Sequence, residues 1–492
     1  ASLQLVQPRS VGVEHVGLYA LARLELEPLL ASLGINAVWR AMIMAQVVGR
    51  MAAPGSELAT WRWLDGTSAL GELLDLSLTE LSQMRLYRAA DVLIKHQTAI
   101  EAHLFARVRD LFALETTITL YDLTNTYFEG AAKANPKAKR GHSKEKRTDC
   151  PLLTLGLVLD GSGFVRRSRV LAGNAVECRT LEDMLKDLDA PPGALVIMDQ
   201  GIATDDNLVW LRAQGYRYLV VSRERGRIMP QDEATVTTAG GEVVRVEKVL
   251  DTDADEVRLY CHSPGREQKE AGISQRFCDK FEAGLKKLAE GIFRPHGAKR
   301  PEVIHERIGK LKQSSFGAAQ HYAVTVETNP EQTQVTRIAW EKHPMAGTML
   351  TDPGVYGLRS NETSWDEERL WRTYMMLTDL EAVFRSLKSE LGLRPVFHSK
   401  EARADGHLFI TVLAYQCVQL IRSQLKAKGI DQSWASLRET LSVQRRVTAR
   451  FTQRDGRTLH VRKATQPEPD LQTIYDALGL HGLPGGTKKM VS

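Results

Sequence analysis

The sequence predicts an α/β protein with a helical N-terminal region, on three observations. Apolar residues recur at helical spacing over residues 18–114, where Ala, Leu, Glu and Arg are abundant. Between 116 and 222, β-branched and apolar runs alternate with helical segments, the pattern of a sheet layered with helices. A long amphipathic pattern returns at 366–391.

At 492 residues the chain is long enough for several domains, because single cores stop growing well before that size. Hydrophobic residues at 43% and charged residues at 25% match a globular protein and exclude disorder as the main theme. A formal net charge of +5 leaves a metabolic enzyme and a nucleic-acid binder both open. Cys150, Cys178, Cys261, Cys278 and Cys417 form no C-x-x-C pair that could supply half of a zinc site, and read as buried thiols. The longest apolar stretch, 408–415, is too short to span a bilayer and no charged-then-apolar leader opens the chain. The expectation is a cytoplasmic protein with no membrane partner.

Taken in order, the N-terminal helical pattern is interrupted by Pro54-Gly55-Ser56, a turn between two helical groups. A β-branched run over 116–122 ends in Asp122. Two strand-like runs over 152–169 surround Asp160-Gly161-Ser162-Gly163 and predict a hairpin. A helical stretch, 175–188, precedes Pro191-Pro192-Gly193 and the apolar run 194–198, read as a buried strand ending at Asp199. A helix over 205–214 and a strand over 216–222 complete the order strand, strand, strand, helix, strand, helix, strand. From 223 to 354 the character shifts to alternating segments such as Glu242-Val243-Val244-Arg245-Val246, with a polar helical piece at 281–312, and this stretch reads as an insertion. Helices are expected at 366–391 and 404–426, then a hairpin over 447–463 turning at Asp455-Gly456. The last segment, with Pro484-Gly485-Gly486, reads as loose, and no internal repeat stands out.

Asp122 and Asp199 each close a predicted strand, where an α/β sheet presents side chains to a ligand. A lone Asp at a strand end more often caps a turn. Two in matching contexts, with a third acid on a suitable helix, favour a shared metal instead. The third acid is Glu381. Leu377, Leu380, Phe384, Leu387 and Leu391 mark the buried stripe of the 366–391 helix, and Tyr374, Glu381, Arg385 and Lys388 share a face at its edge. The plain alternative is a surface ion pair between Glu381 and Arg385. Three carboxylates suit phosphoryl transfer, because hard Mg²⁺ or Mn²⁺ takes oxygen ligands, and two such ions per site can serve the attacking and leaving oxygens.

Tyr121-Asp122-Leu123-Thr124, Met198-Asp199-Gln200-Gly201 and the set Tyr374, Leu377, Glu381 and Lys388 resemble the DDE transposases of bacterial insertion sequences. Gly141-His142-Ser143-Lys144 and Phe384-Arg385-Ser386-Leu387-Lys388-Ser389 narrow the likeness to the insertion-sequence-four superfamily and its group numbered sixteen thirty-four. The resemblance covers about residues 51–415. In the superfamily pattern Y-x-x-R-x-x-x-E-x-x-x-x-x-x-K, Tyr374, Glu381 and Lys388 match, while Leu377 stands where the pattern has arginine. Arg372 and Arg385 are the cations at hand to take its place.

The resemblance implies an RNase H-like catalytic domain, with the first acid on the first strand, the second on the fourth and the glutamate on a later helix. It also implies a mainly β insertion between Asp199 and Glu381, as in relatives that form hairpin DNA ends. The resulting division is 1–114 helical, for DNA binding and dimerisation; 115–222 and 355–426 catalytic; 223–354 insertion; and 427–492 a basic C-terminal region.

Candidate DNA contacts follow from charge. Between 131 and 150 lie Lys133, Lys137, Lys139, Arg140, Lys144, Lys146 and Arg147 against Glu145 and Asp149, a loop close after Asp122 that suits phosphate and also contains His142. Arg445, Arg446 and Arg450 open a second cluster, continued by Arg454, Arg457, Arg462 and Lys463, that either tracks a DNA backbone or is a solvated face. Trp340, Trp365 and Trp371 are candidates for stacking on an unpaired base, with core packing the more ordinary role. The function expected is metal-dependent cleavage at insertion-sequence ends and strand transfer into target DNA. Its partners are double-stranded DNA, as terminal inverted repeats and target, and a second copy of the chain on paired ends. The alternatives are an RNase H-fold nuclease without strand transfer and a noncatalytic DNA-binding protein.

Overall fold

The computed structural model describes residues 3–76, 82–112, 118–141, 147, 149–186, 188, 193–223, 226–231, 234–238, 240–452 and 456–492, with the side chains of all of these except 118 and 378–381. Two compact units emerge: Ala1–Ile197 with Thr204–Tyr216 and Met376–Ser492, and Met198–Ala203 with Arg217–Met375.

The chain opens with β1 (Leu3–Ser10), followed by α1 (Gly12–Arg23), α2 (Leu26–Ser32), α3 (Ala37–Ala52), α4 (Glu57–Gly66), α5 (Leu70–Leu73), α6 (Gln83–Leu93) and α7 (Gln97–Phe112). The turn expected at Pro54-Gly55-Ser56 is the start of α4: Ser56 caps it by accepting from Ala59 N, as Asn36 caps α3 by accepting from Trp39 N. Next come β2 (Ile118–Tyr127), β3 (Leu152–Asp160), β4 (Val165–Ala172), α8 (Leu181–Leu185), β5 (Leu195–Met198), α9 (Asp205–Ala213) and β6 (Arg217–Val221). This is the element order read from the sequence. The β3–β4 turn is set by Asp160, whose Oδ1 accepts from Ser162 N and Phe164 N at 3.0 and 2.8 Å.

The stretch after β6 holds β7 (Thr235–Thr237), β8 (Val243–Asp251), β9 (Glu256–His262), α10 (Pro264–Gly291), α11 (Pro301–Gln313), β10 (Tyr322–Thr328), β11 (Val335–Lys342) and β12 (Val355–Ser360). The chain ends with α12 (Glu367–Arg385), α13 (Glu401–Lys426), α14 (Trp434–Ser442), β13 (Arg445–Thr452), β14 (Thr458–Ala464), α15 (Pro469–Leu478) and β15 (Lys488–Val491).

In the first unit one sheet runs β4-β3-β2-β5, with β3 buried along its whole length and antiparallel to β2, so that Asp122 stands opposite Leu157. A wholly buried strand needs both faces covered, which is why its sequence is a nearly unbroken apolar run. Helix α13 packs against α1, α3, α6 and β4. By length and composition it could cross a membrane, but 78% of its most apolar window is buried inside the protein, which makes it a core helix. A second sheet, β1-β13-β14-β15, ties the two ends of the chain together, with Leu3 opposite Phe451 and Ser10 opposite Arg445. Neither β1 nor β15 is apparent in the sequence, where the last segment reads as loose.

The second unit has the strand order β6-β12-β9-β8-β7, with β12 antiparallel to both neighbours. It also has a core of its own, in which Phe281, Leu285, Ile304 and Ile308 from α10 and α11 pack on Tyr322 and Ile338 of the β10–β11 hairpin. The insertion expected to be mainly β therefore has helices of 28 and 13 residues against strands of three to nine among the described residues. Ser263 capping α10 and Pro264 at its first position explain the early start of the longer helix.

Arg446, expected on a DNA-facing surface, is 0% exposed. Its Nε donates to Glu72 Oε2 at 3.0 Å, its Nη1 to the carbonyls of Pro484 and Gly486 at 2.9 and 2.8 Å, and its Nη2 to that of Gly485 at 3.0 Å. A Cβ on Gly485, whose φ is +74°, would sit 2.8 Å from Arg446 Nη1, so glycine there lets the backbone wrap the guanidinium. Removing a fully buried guanidinium leaves its carboxylate and carbonyl acceptors unpaired, which is costly. Arg446→Ala is expected to lower stability by about 3 kcal/mol in urea unfolding at neutral pH; an unchanged midpoint would return Arg446 to the surface.

Candidate active site

Asp122 is the fifth residue of β2 rather than its last. The β-branched run that ended the predicted strand continues through Thr124, Asn125 and Thr126, whose polar side chains hide the strand from a hydrophobicity reading. All three are buried, and two are bonded within the protein: Asn125 Nδ2 donates to Thr154 Oγ1 at 3.0 Å, and Thr126 Oγ1 donates to Leu393 O at 2.8 Å. Side chains alternate along a strand, so Asp122, Thr124 and Thr126 share a face. That face therefore meets the chain at Leu393, beyond α12. Val396 N adds a bond to Tyr127 O at 2.8 Å. Asp122 itself is half-buried, and its Oδ1 accepts from Leu123 N at 2.7 Å.

Asp199 directly follows Met198, the last residue of β5, and is exposed. Its Oδ1 accepts from Gln200 N at 2.7 Å, the same local arrangement as at Asp122. The turn is tied down by Arg223, which sequence reasoning left out: Nε donates to Gln200 O at 2.7 Å and Nη2 to Gly201 O at 2.9 Å. A cation placed just after a buried strand was the available signal. Both aspartates offer hard oxygen donors with one oxygen already oriented, a donor type that fits Mg²⁺ or Mn²⁺.

Glu381 lies on α12, and its side chain is outside the described residues. Phe384, Leu387 and Leu391 are buried, as the apolar stripe predicts. Past Arg385 the helix widens into a π-helical turn, Ser386–Glu390, closed by a Leu391 N bond to Ser386 O at 3.1 Å. Such turns shift the facing of everything after them, so Lys388, half-buried on the turn, departs from the simple seven-residue spacing to Glu381. Glu390 anchors the turn to α14: its Oε1 accepts from Ala435 N at 3.2 Å and its carbonyl from Arg438 Nη1 at 2.9 Å. Arg385 is exposed and Tyr374 half-buried. Arg372 is already engaged, with Glu368 at 2.7 Å and Thr237 O at 3.2 Å.

Among the proposed DNA contacts, His142, Lys144 and Lys146 lie outside the described residues, as does Arg454. Lys139 and Arg140 are exposed. Arg147 is spoken for by a two-pronged pair with Asp149, both bonds 2.8 Å, and by the Tyr127 ring, 4.4 Å away. Lys137 is held by Asp405 and Glu401 at 2.6 and 3.1 Å. In the C-terminal hairpin Arg445 is exposed and Arg450 half-buried, while Arg462 joins Arg446 on Glu72. Trp371 is buried and bonded to Tyr356, Trp365 lies under Arg369, and Trp340 packs on the core of the insertion, so each has a partner within the protein.

With this arrangement in view, the transposase DDE domain family matches residues 114–417, well over half of the chain. The chain belongs to that family. Membership makes it an enzyme of the transposase class and implies DNA binding and divalent metal. No curated protein matches the chain.

A second polar cluster lies in the first unit. Glu57, His398 and His407, all buried, bring their ligand-type atoms within 4.8 Å of one another. His407 Nδ1 is 2.9 Å from Glu57 Oε1, and His398 Nε2 is 2.6 Å from Glu57 Oε2. These are ion-pair separations, and Arg50 supplies the cation, with Nη2 3.0 Å from His407 Nδ1 and Nη1 donating to Gly55 O at 2.8 Å. Burial, then the Arg50 charge, lowers His407 to about 4, so the ring is neutral. Burial pushes the Glu57 carboxyl up, but the two histidines outweigh it and hold it well below the usual carboxylate range. Both groups sit below their ordinary values, so the unfolded chain takes up protons first and stability falls as pH drops. The thermal midpoint is expected to decline between pH 6.5 and about 4, a decline that His407→Gln should flatten and that a chelator at pH 7.5 should not imitate. Equal pH slopes in the variant and the parent would refute the assignment.

Proposed function

We propose that the chain is a cut-and-paste transposase of the insertion-sequence-four superfamily, in its sixteen-thirty-four-like group. It nicks element ends, frees a 3′ hydroxyl, and joins that end to target DNA, with hairpin-ended DNA as an intermediate. Asp122, Asp199 and Glu381 are its catalytic and metal-holding acids. The observation that carries the reading is strand adjacency. Asp122 stands on β2, its neighbour in the sheet is β5, and Asp199 follows β5 directly. The contact from Thr126, on the Asp122 face, to Leu393 beyond the Glu381 helix supports the third member.

Two divalent ions, Mg²⁺ or Mn²⁺, would supply the activation of the attacking oxygen and the stabilisation of the leaving one. The chain's own part is to hold acids in place before DNA arrives. Each aspartate has one oxygen fixed by a neighbouring amide, which limits the reorganisation left for the reaction. Tyr374, Arg385 and Lys388 on α12 and its π-helical extension are the phosphate contacts nearest Glu381 in sequence. Lys139, Arg140, His142, Lys144, Lys146 and Arg147 form a basic run soon after Asp122, and Arg445 and Arg450 add two cations. Arg446 is left out because its guanidinium is consumed in the fold.

The partners are double-stranded DNA, as terminal inverted repeats and target, and a second copy of the chain on paired ends, in the bacterial cytoplasm beside the nucleoid. A nuclease that hydrolyses without joining is the nearest rival, since it would use the same acids. Pre-cleaved ends incubated with supercoiled plasmid and Mn²⁺ separate the two: joined products are expected, and cutting without joining sinks the transposase mechanism. Asp122→Asn and Asp199→Asn are each expected to lower cleavage on the order of 10³-fold with end binding retained. Normal cleavage by either would remove that acid from the site.

A further inference from the structure

The connection between α10 and α11 has the features of a contact surface. Phe293, at its start, is 77% exposed, the most exposed of the large apolar side chains among the described residues. The turn that presents it is built by glycine: a Cβ on Gly297 would lie 1.8 Å from the Gly291 carbonyl oxygen, and Gly297 N donates to Arg294 O at 3.0 Å. Phe293 N in turn bonds Glu290 O at 3.3 Å. An aromatic ring held outward on an ordered turn, away from the core formed by the same two helices, has no packing role inside the protein.

Exposed Glu290, Glu302 and Glu306 lie nearby, but the clefts beside the turn are lined by cations. A cleft of about 880 Å³ is lined by Lys287, Arg294, Arg307 and Lys310 among others, and a second of about 570 Å³, which shares Pro295, Gly297 and Ala298 with it, by Lys299 and Arg300. No Asp or Glu lines either cleft among the described residues. Glu306 pairs with Lys310 at 2.5 Å, but both are well exposed and the pair is weak. Six cations lining two grooves, with an outward ring on the same connection, match a phosphate backbone and a base in charge and in chemistry.

We infer that the α10–α11 turn is a second DNA-contact surface of this chain, with the cations of the two clefts on phosphates and Phe293 against an exposed or unstacked base. This rests on the transposase reading, because that reading makes DNA the polyanion at hand. The contact is independent of sequence, being made of backbone charge and stacking rather than base-edge hydrogen bonds. It also fills the role that Trp340, Trp365 and Trp371, each engaged within the protein, do not take.

The test is binding of the full chain, without metal, to a fluorescent 30-base-pair duplex and to the same duplex carrying a two-base mismatch bubble, followed by anisotropy across salt concentrations. Arg294→Gln with Arg307→Gln is expected to weaken both complexes at least about fivefold and to reduce the salt slope by about two, one for each phosphate no longer neutralised. Phe293→Ala is expected to leave the salt slope alone and to weaken the bubble at least about fivefold more than the paired duplex, since stacking on a base is what it removes. Both sets of residues are exposed, so circular dichroism and the thermal midpoint should match the parent. Unchanged affinity and slope in the double variant, with the parent binding normally, overturn the surface and leave the transposase reading standing. A change in self-association with DNA affinity intact assigns the turn to a second copy of the chain and also overturns it. Failure of the parent to bind any duplex would instead strike the transposase reading itself.

Discussion

Carboxylates meant to share a cation repel one another until it arrives, and the frame beneath them has to absorb that repulsion. In the proposed site this falls chiefly on β2. The strand is hydrogen-bonded between β3 and β5, its register with β3 runs without a break from Thr119 to Tyr127, and beyond Asp122 the side chains of Asn125 and Thr126 are buried and bonded. A side chain at mid-strand can move only by its own rotation, whereas one on a loop can also carry its backbone away. Asp199, on a turn, has the weaker footing, and Arg223 compensates by fixing two of the turn's carbonyls.

A second theme of the first unit is the use of buried and half-buried polar contacts between charged or ionisable residues remote in sequence. Arg446 reaches Glu72, His407 and His398 reach Glu57, and Lys137 reaches Asp405 and Glu401. Each joins a segment from the first third of the chain to one from the last. A polar contact that is even partly buried adds little net energy over a well-packed apolar one but tolerates few partners, so such contacts set which surfaces meet. The helical N-terminal region is thereby tied to the part of the chain that follows Glu381.

These long connections also explain which readings succeeded. The element order from β2 to β6 was legible because buried strands are apolar runs, and runs such as 194–198 need no partner to be recognised. The helix carrying Glu381 was legible from its stripe, with Phe384, Leu387 and Leu391 buried as expected. Asp122 reads as a strand end because Thr124, Asn125 and Thr126 are polar, and only their burial in the fold shows that the strand continues. The basic residues were the least legible. Charge alone cannot distinguish Arg445, which faces solvent, from Arg446 beside it, which is wrapped by three carbonyls. The π-helical turn at 386–390 has no signature in the sequence, and its contacts with α14 through Glu390 join positions 45 and 48 residues apart.

The sheet that unites β1 with β13 bears on how the molecule is made. Leu3 to Ser10 leave the ribosome more than four hundred residues ahead of their hydrogen-bonding partners, Arg445 to Phe451. At about 5–20 residues per second, the opening strand waits roughly 20 to 90 seconds with its backbone unpaired. During that interval the nascent chain carries an open edge with the apolar Leu3 and Leu5 on it, a hazard for association with its neighbours on the same messenger. A translation product that stops before β13 would leave β1 without its partner.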